Sequence, residues 1–218
     1  MCGRYTLTVP VDRLAAEFDL DEVRAELSPN FNVAPTQSVA AVVAEDGSRR
    51  LETLRWGLVP SWADDPEIGS RMINARSETA PEKPSFRSAF RRRRCLIPAD
   101  GFYEWKREEG GKQPFYIRMN DGRPFAFAGL WESWHDGEVL SCTILTTSAN
   151  PLVGEVHGRM PVILPAEDRD AWLDPEAERE ELVSLLRPYP GDDLETFPVS
   201  RFVNSPRNND ERCIEPAA

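Results

Sequence analysis

The stretch VAAVVAEDGSRRLETLRW, residues 39–56, contains two strand-like segments joined by a turn signal and indicates that the chain is rich in β-structure. Apolar residues, several of them β-branched, fill 39–44, and a second strand-like segment runs over 51–56. Between them lies Asp46-Gly47, a dipeptide typical of the tight turn that joins two antiparallel strands. The pattern therefore predicts a β-hairpin.

Further strands are predicted towards the C-terminus, over residues 115–119, 125–131 and 139–146. Turn signals separate them at Asp121-Gly122 and Asp136-Gly137.

Helical patterns lie on either side of these strands. Residues 11–27 indicate one or two short amphipathic helices, and residues 166–173 and 177–186 indicate two more. Many short strands with few helices predict an α+β protein with a β-rich, antiparallel, barrel-like core and flanking helices.

The composition is that of an ordinary globular protein. The chain has 218 residues, 40% of them hydrophobic and 29% charged, which suits a single domain over residues 1–218. No apolar run approaches the roughly 20 residues of a membrane helix. The N-terminus does not resemble a signal peptide, so we expect a cytoplasmic monomer with no membrane partner. The net charge of −11 argues against bulk electrostatic coating of nucleic acid and is compatible with a local basic groove.

The cysteines are widely separated along the chain, at Cys2, Cys95, Cys142 and Cys213. Such scattered cysteines do not suggest a disulfide framework in a cytosolic chain of this size. Neither of the two histidines, His135 and His157, has ligand spacing from a cysteine, so we expect no metal site. We also expect no cofactor. Cys95 and Cys142 are predicted to be small buried hydrophobic residues.

Cys2 is different because removal of the initiator methionine would make it the N-terminal residue. Its α-amine, with a pKa of about 7.7–8.0, would then lie next to a thiol with a pKa of about 8.5. Such a group can act as an N-terminal nucleophile in amide hydrolysis. It can also condense with an aldehyde, first as a Schiff base and then as a thiazolidine ring. The simpler alternative is an accidental cysteine near a frayed terminus.

Asn74 and Arg76 lie in the polar run NARSET, residues 74–79. The Asn74 amide is suited to holding a terminal amine or an aldehyde oxygen, and Arg76 to binding a phosphate. A strand end followed by a polar turn explains the same residues without a function.

Glu104 lies among aromatic residues in GFYEWK, residues 101–106. A carboxyl group desolvated by aromatic rings has a raised pKa and is suited to acid–base chemistry. Alternation along a strand would instead turn Glu104 towards water.

Three further features have both a functional and a structural interpretation. His157 shares the tripeptide HGR with Arg159 at the entrance to a strand, whereas His135 is predicted to lie on the surface. Trp62 ends the Gly/Pro-bounded segment WGLVPSW and is either a core residue or a platform for an unpaired base. The basic run at 91–94 is either a phosphate contact or a solvated helix end.

Six sequence blocks together resemble the SRAP family, the SOS-response-associated peptidase or abasic-site processing proteins. The blocks follow the family's order: MCGRY at 1–5, FNVAP at 31–35, WGLVP at 56–60, INARSET at 73–79, GFYEW at 101–105 and HGRMP at 157–161. The resemblance extends to the tail around 198–204. Family members can carry a second tryptophan where this chain has Ala63, and an arginine near Pro84, where this chain has Lys83.

The resemblance implies a β-rich single-domain SRAP fold, a groove for single-stranded DNA and a suicidal reaction with an abasic deoxyribose. It implies four catalytic residues: Cys2 as the nucleophile, Asn74 orienting it, Glu104 transferring protons and His157 acting on the sugar. It further implies that Arg4, Arg76 and Arg159 contact phosphates and that Trp62 stacks near the lesion.

The expected function is therefore a covalent thiazolidine crosslink between Cys2 and an abasic site in single-stranded DNA, which shields the lesion. Abasic-site lyase and Met1-removing activities would accompany it. The alternatives are a cysteine peptidase or amidohydrolase that uses Cys2, His157 and Glu104, and a non-catalytic module that binds single-stranded DNA.

Overall fold

The structure, a computed structural model, describes residues 2–217. Its strands are β1 Tyr5–Leu7, β2 Glu22–Val23, β3 Asn30–Val33, β4 Ser38–Glu45, β5 Ser48–Trp56, β6 Asn74–Arg76, β7 Arg94–Ala99, β8 Gly101–Glu108, β9 Gly111–Met119, β10 Phe125–Trp134, β11 Val139–Ser148, β12 Arg159–Pro161, β13 Ile163–Leu164 and β14 Leu194–Pro198. Its α-helices are α1 Val11–Glu17, α2 Arg87–Arg92, α3 Pro151–Gly154, α4 Arg169–Leu173 and α5 Arg179–Leu185. Short 3₁₀ turns cover Pro66–Arg71, His135–Gly137, Ala166–Asp168, Arg201–Asn204 and Glu211–Cys213.

The strands form two mostly antiparallel sheets. One has the order β14-β9-β8-β1-β3, and the other runs β12-β11-β10-β7-β4-β5-β2, with β13 on β10 and β6 on β11. A parallel pairing between β11 and β5, at Cys142 and Trp56, closes part of the second sheet into a ring. The predicted α+β class with a barrel-like antiparallel core is confirmed.

The hairpin predicted from residues 39–56 is β4 and β5, paired from Ser38–Arg55 to Glu45–Ser48. Asp46 and Gly47 both have positive φ, 53° and 77°, as the favoured two-residue hairpin turn requires. The later strands are confirmed as β9, β10 and β11. Asp121-Gly122 does not close a hairpin, however, because β9 and β10 belong to different sheets.

The helical prediction for residues 11–27 was right only in its first part. Helix α1 ends at Glu17, and Asp19 has a left-handed backbone with φ of 49°. The chain then enters β2, which pairs in parallel with β5 at Arg50 and Leu51. The predicted C-terminal helices are confirmed as α4 and α5.

The core between the elements includes Cys95 and Cys142, both fully buried as predicted. Arg94 fits neither interpretation of the basic run. It is buried and donates to the carbonyl oxygens of Phe90 at 2.9 Å and Trp172 at 2.7 Å, so it joins α2 to α4. Across residues 2–217, no helix combines the length and the apolar character needed to cross a bilayer.

Candidate active site

Cys2 and Glu104 are brought together by the pairing of β1 with β8. Tyr5 lies opposite Phe102, and the Tyr103 amide donates to the Arg4 carbonyl oxygen at 3.0 Å. Because the strands are antiparallel, each step back from Tyr5 along the chain corresponds to one step forward from Phe102. Glu104 therefore lies beside the residues that precede β1. One wall of the site therefore belongs to the five-stranded sheet.

The second wall belongs to the other sheet, where β11 carries β6 on one side and β12 on the other. Asn74 lies opposite Ile144, and Arg159 opposite Ser148. The Asn74 Nδ2 donates to the Cys2 carbonyl oxygen at 2.7 Å and so connects the two sheets. Its Oδ1 is buried and has no hydrogen-bond partner among residues 2–217, so the amide that contacts Cys2 also carries an unused acceptor.

The Cys2 side chain is completely buried, and its Sγ lies 3.8 Å from the Arg4 carbonyl oxygen. Burial, and secondarily the charge of Glu104, raise the pKa of the Cys2 thiol far above its ordinary value. Burial therefore disfavours the thiolate form of Cys2.

Glu104 is only 2% exposed, so it does not face water as strand alternation alone would suggest. Burial raises the pKa of its carboxyl group, and the nearby His157 partly offsets this effect. The Glu104 Oε2 lies 4.0 Å from the His157 Nδ1. The carboxyl group thus retains its proton to a higher pH than an exposed glutamate does, which suits proton transfer.

His157 precedes β12 and keeps about a third of its side chain exposed. Its Nδ1 lies 3.1 Å from both the backbone nitrogen and the carbonyl oxygen of Arg159, so either tautomer of the neutral ring has a backbone partner there. His135, by contrast, lies in an exposed turn and stacks on Trp134, in agreement with its predicted surface position.

The four residues named from the sequence therefore meet at the junction of the two sheets. A family model described as SOS response associated peptidase (SRAP) matches residues 1–206. The chain belongs to the SRAP family.

Relatives and solved structures resemble this SRAP chain along its whole length. The abasic site processing protein YoqW of Bacillus subtilis is 46% identical over 222 residues, covering 99% of each chain. The abasic site processing protein HMCES of Xenopus tropicalis is 32% identical over 262 residues, covering 98% of this chain and 78% of the relative. A crystal structure of a Bacteroides thetaiotaomicron protein superposes with a TM-score of 0.90 at 28% identity, covering all of both chains.

Two of the arginines expected at phosphates have protein partners in this SRAP structure. Arg4 donates to Asn32 Oδ1 at 2.7 Å and to the Val203 carbonyl oxygen at 2.9 Å. Arg159 donates from both terminal nitrogens to the Glu78 carboxylate, at 2.5 and 2.9 Å. Arg76, the third, is exposed at the end of β6.

Trp62 is the most exposed large hydrophobic side chain in the described part of the chain, at 58%. Its loop is fixed at the next residue, where the Trp134 Nε1 donates to the Ala63 carbonyl oxygen at 2.7 Å. Ala63 itself is buried against Val59 and Trp134. The position that carries a second tryptophan in some family members is thus part of a small core here.

Three residues of this region had no role in the sequence interpretation: Asn32, Glu78 and Trp134. Asn32 and Glu78 lie inside the FNVAP and INARSET blocks, and this position was the only sequence feature that could have drawn attention to them. Their roles could not be predicted, because their hydrogen-bond partners are distant in sequence. Within residues 2–217, no three His, Cys, Asp or Glu side chains form a group that could hold a metal ion.

Proposed function

We propose that this protein processes abasic sites in single-stranded DNA by bonding covalently to them through Cys2, once Cys2 is the N-terminal residue. The observation that carries the proposal is the convergence of Asn74 and Glu104, from two different sheets, on Cys2. The names of the relatives as abasic site processing proteins support the choice of substrate. Met1, whose removal the chemistry requires, lies outside the described residues.

The first step forms an imine. The α-amine nitrogen of Cys2 adds to the C1′ aldehyde carbon of the ring-opened sugar, and the resulting carbinolamine loses water. Glu104 supplies a proton to the departing hydroxyl group, which its raised pKa favours. A ring N–H of His157 donates to the sugar ring oxygen during opening, and the Asn74 Oδ1 accepts from the attacking amine.

The second step closes the ring. The Cys2 sulfur adds to the imine carbon, and the thiol proton passes through Glu104 to the imine nitrogen, so that the whole reaction releases one water. Holding amine and thiol together contributes roughly 7–11 kcal/mol in well-oriented cases. Without ring closure the imine can undergo β-elimination, which cuts the strand as a lyase does. The thiazolidine therefore protects the DNA.

The buried thiol argues for this reaction over peptide hydrolysis. A cysteine peptidase attacks through a thiolate, and burial disfavours that form of Cys2. An amine that attacks first needs no thiolate, because the sulfur loses its proton only as it adds to the imine. Removal of Met1 by the protein itself would be a single event and does not require turnover.

Intact-protein mass spectrometry tests the proposal, before and after incubation with a single-stranded oligonucleotide that carries one abasic site. We expect a starting mass without methionine, and then a heat-stable adduct of one protein and one oligonucleotide minus one water. Cys2→Ser should form no heat-stable adduct, although its amine can still cut the strand. Cys213→Ser is the matched control and should react like the wild type.

Three other results would contradict the proposal or favour one of its alternatives. Full-yield, heat-stable crosslinking by Cys2→Ser would refute the thiazolidine step. Processed protein that forms no adduct but repeatedly hydrolyses peptides would favour the peptidase alternative. Comparable binding of undamaged strands, with no dependence on Cys2, would favour a non-catalytic binding module.

A further inference from the structure

Glu78 holds the guanidinium group of Arg159 at the edge of the candidate site. Its two carboxylate oxygens accept from Nη1 and Nη2 at 2.5 and 2.9 Å. Arg159 in turn donates its backbone N–H to His157, so the ion pair is directly joined to a proposed catalytic residue. A planar carboxylate bound in this way has the geometry with which arginine also binds a phosphate.

The same carboxylate pairs with Arg159 and also lies in the electrostatic field of Arg76. The hydrogen bonds from Arg159, and also the charges of Arg159 and Arg76, lower the pKa of the Glu78 carboxyl group. Both arginines are among those that the family resemblance places at DNA phosphates. In the absence of DNA the charge of Arg159 is therefore already compensated within the protein.

Arg159 does not depend on Glu78 for its position. Its Nη2 also donates to the Thr146 carbonyl oxygen at 2.5 Å, which anchors the guanidinium group to β11. Its Nε is buried and has no acceptor in the part of the chain that the structure describes. Glu78, in contrast, has half of its side chain exposed and is able to swing into water.

We propose that Glu78 occupies the position of a DNA phosphate on Arg159 and leaves it when the strand binds. The inference rests on the proposed function, because it assumes that single-stranded DNA reaches Arg159. When the strand binds, a phosphate replaces the Glu78 carboxylate on Arg159, so the charge of Arg159 is neutralised to about the same extent before and after binding. Glu78 thus weakens the hold on undamaged strands, so that retention depends on the covalent bond to the lesion.

The test compares Glu78→Gln with Glu82→Gln, which makes the same change in net charge. Glu82 lies four residues further on and pairs with Arg179 in an exposed ion pair at 3.1 Å. The dissociation constant for an undamaged single-stranded oligonucleotide is measured by fluorescence anisotropy over a range of salt concentrations. Glu78→Asp, which keeps the charge, is a second variant, and thermal denaturation checks that all variants fold.

We expect Glu78→Gln to bind severalfold more tightly than Glu82→Gln at low salt. The slope of log affinity against log salt should steepen by about 0.7 for each phosphate contact that becomes fully productive. Glu78→Asp should keep the wild-type slope. A purely structural role for Glu78 would change thermal stability without changing this slope.

Equal affinities and slopes for Glu78→Gln and Glu82→Gln would overturn the inference, as would weaker binding by Glu78→Gln. If these results come with a normal abasic-site adduct in the wild type, only the inference fails. If the wild type neither binds single-stranded DNA nor forms the adduct, the proposed function fails and the inference with it.

Discussion

Replacing Asn32 with alanine removes a side chain that joins the N-terminal strand region to the C-terminal tail. Asn32 is 1% exposed, and its Oδ1 accepts from Arg4 at 2.7 Å. Its Nδ2 lies 3.1, 2.9 and 2.8 Å from the carbonyl oxygens of Val203, Ser205 and Asn208. Two N–H donors serve three acceptors, so at least one of these hydrogen bonds is shared.

The expected loss follows from these contacts. Two neutral hydrogen bonds contribute about 1 kcal/mol each, and the one to the charged Arg4 about 2 kcal/mol, so Asn32→Ala should lower the free energy of unfolding by about 4 kcal/mol. Urea denaturation measures the change through the transition midpoint and the slope. Asn32→Asp should be no better than alanine, since it retains the acceptor for Arg4 but brings a buried charge against three carbonyl oxygens.

Asn120→Ala is the matched control, because Asn120 is an exposed asparagine that follows β9. It should change the free energy of unfolding by less than about 0.5 kcal/mol. A loss of under about 1 kcal/mol for Asn32→Ala would refute the reasoning, since it would mean that the tail is held by packing alone.

Three further predictions concern the site and its loop. Burial lets folded Glu104 keep its proton above the unfolded pKa of about 4.3, so the folded state loses stability as the pH rises through the folded pKa. Glu104→Gln has no carboxyl group to titrate. Its free energy of unfolding, measured by urea denaturation, should therefore rise relative to that of the wild type from pH 4 to pH 8; a constant difference would contradict the raised pKa. Trp62→Ala should weaken binding of single-stranded DNA by about 1–3 kcal/mol in anisotropy titrations, with an unchanged melting temperature because Trp62 is exposed; unchanged affinity would exclude stacking. Gly57→Ala should lower the free energy of unfolding by about 2–4 kcal/mol, since φ is +136° and a Cβ would lie 2.5 Å from the Gly69 carbonyl oxygen. Gly47→Ala, where φ is +77° and the space is open, should cost only about 1 kcal/mol in the same assay, and equal losses at both positions would exclude the clash.

The features that could be predicted from the sequence are those set by local patterns. The hairpin of β4 and β5 followed from two strand-like segments joined by Asp46-Gly47, and the short C-terminal helices from their local helical patterns. The end of α1 could not be placed, because β2 forms only through its pairing with the distant β5. Local signals do not encode such a tertiary partner.

Cys2 and Glu104 were singled out by their local sequence and again by the family resemblance. A raised pKa of Glu104 was one of the two interpretations that its aromatic neighbours left open, whereas the burial that raises the pKa of the Cys2 thiol depends on how two sheets meet. The arginines show the same limit. Arg4 and Arg159 were expected at DNA phosphates, and no sequence feature indicated that each also has a protein partner far away along the chain.

The pairing of β5 with β11, which closes part of the second sheet into a ring, affects how the chain folds during synthesis. β5 emerges from the ribosome well before β11, and its pairing at Cys142 is what covers the edge near Trp56. Until then the nascent hairpin has an open edge with a large aromatic residue beside it, the kind of surface that recruits strands from other chains. Slow translation between the two strands should therefore lower the yield of folded protein, and chaperones that bind nascent chains should raise it.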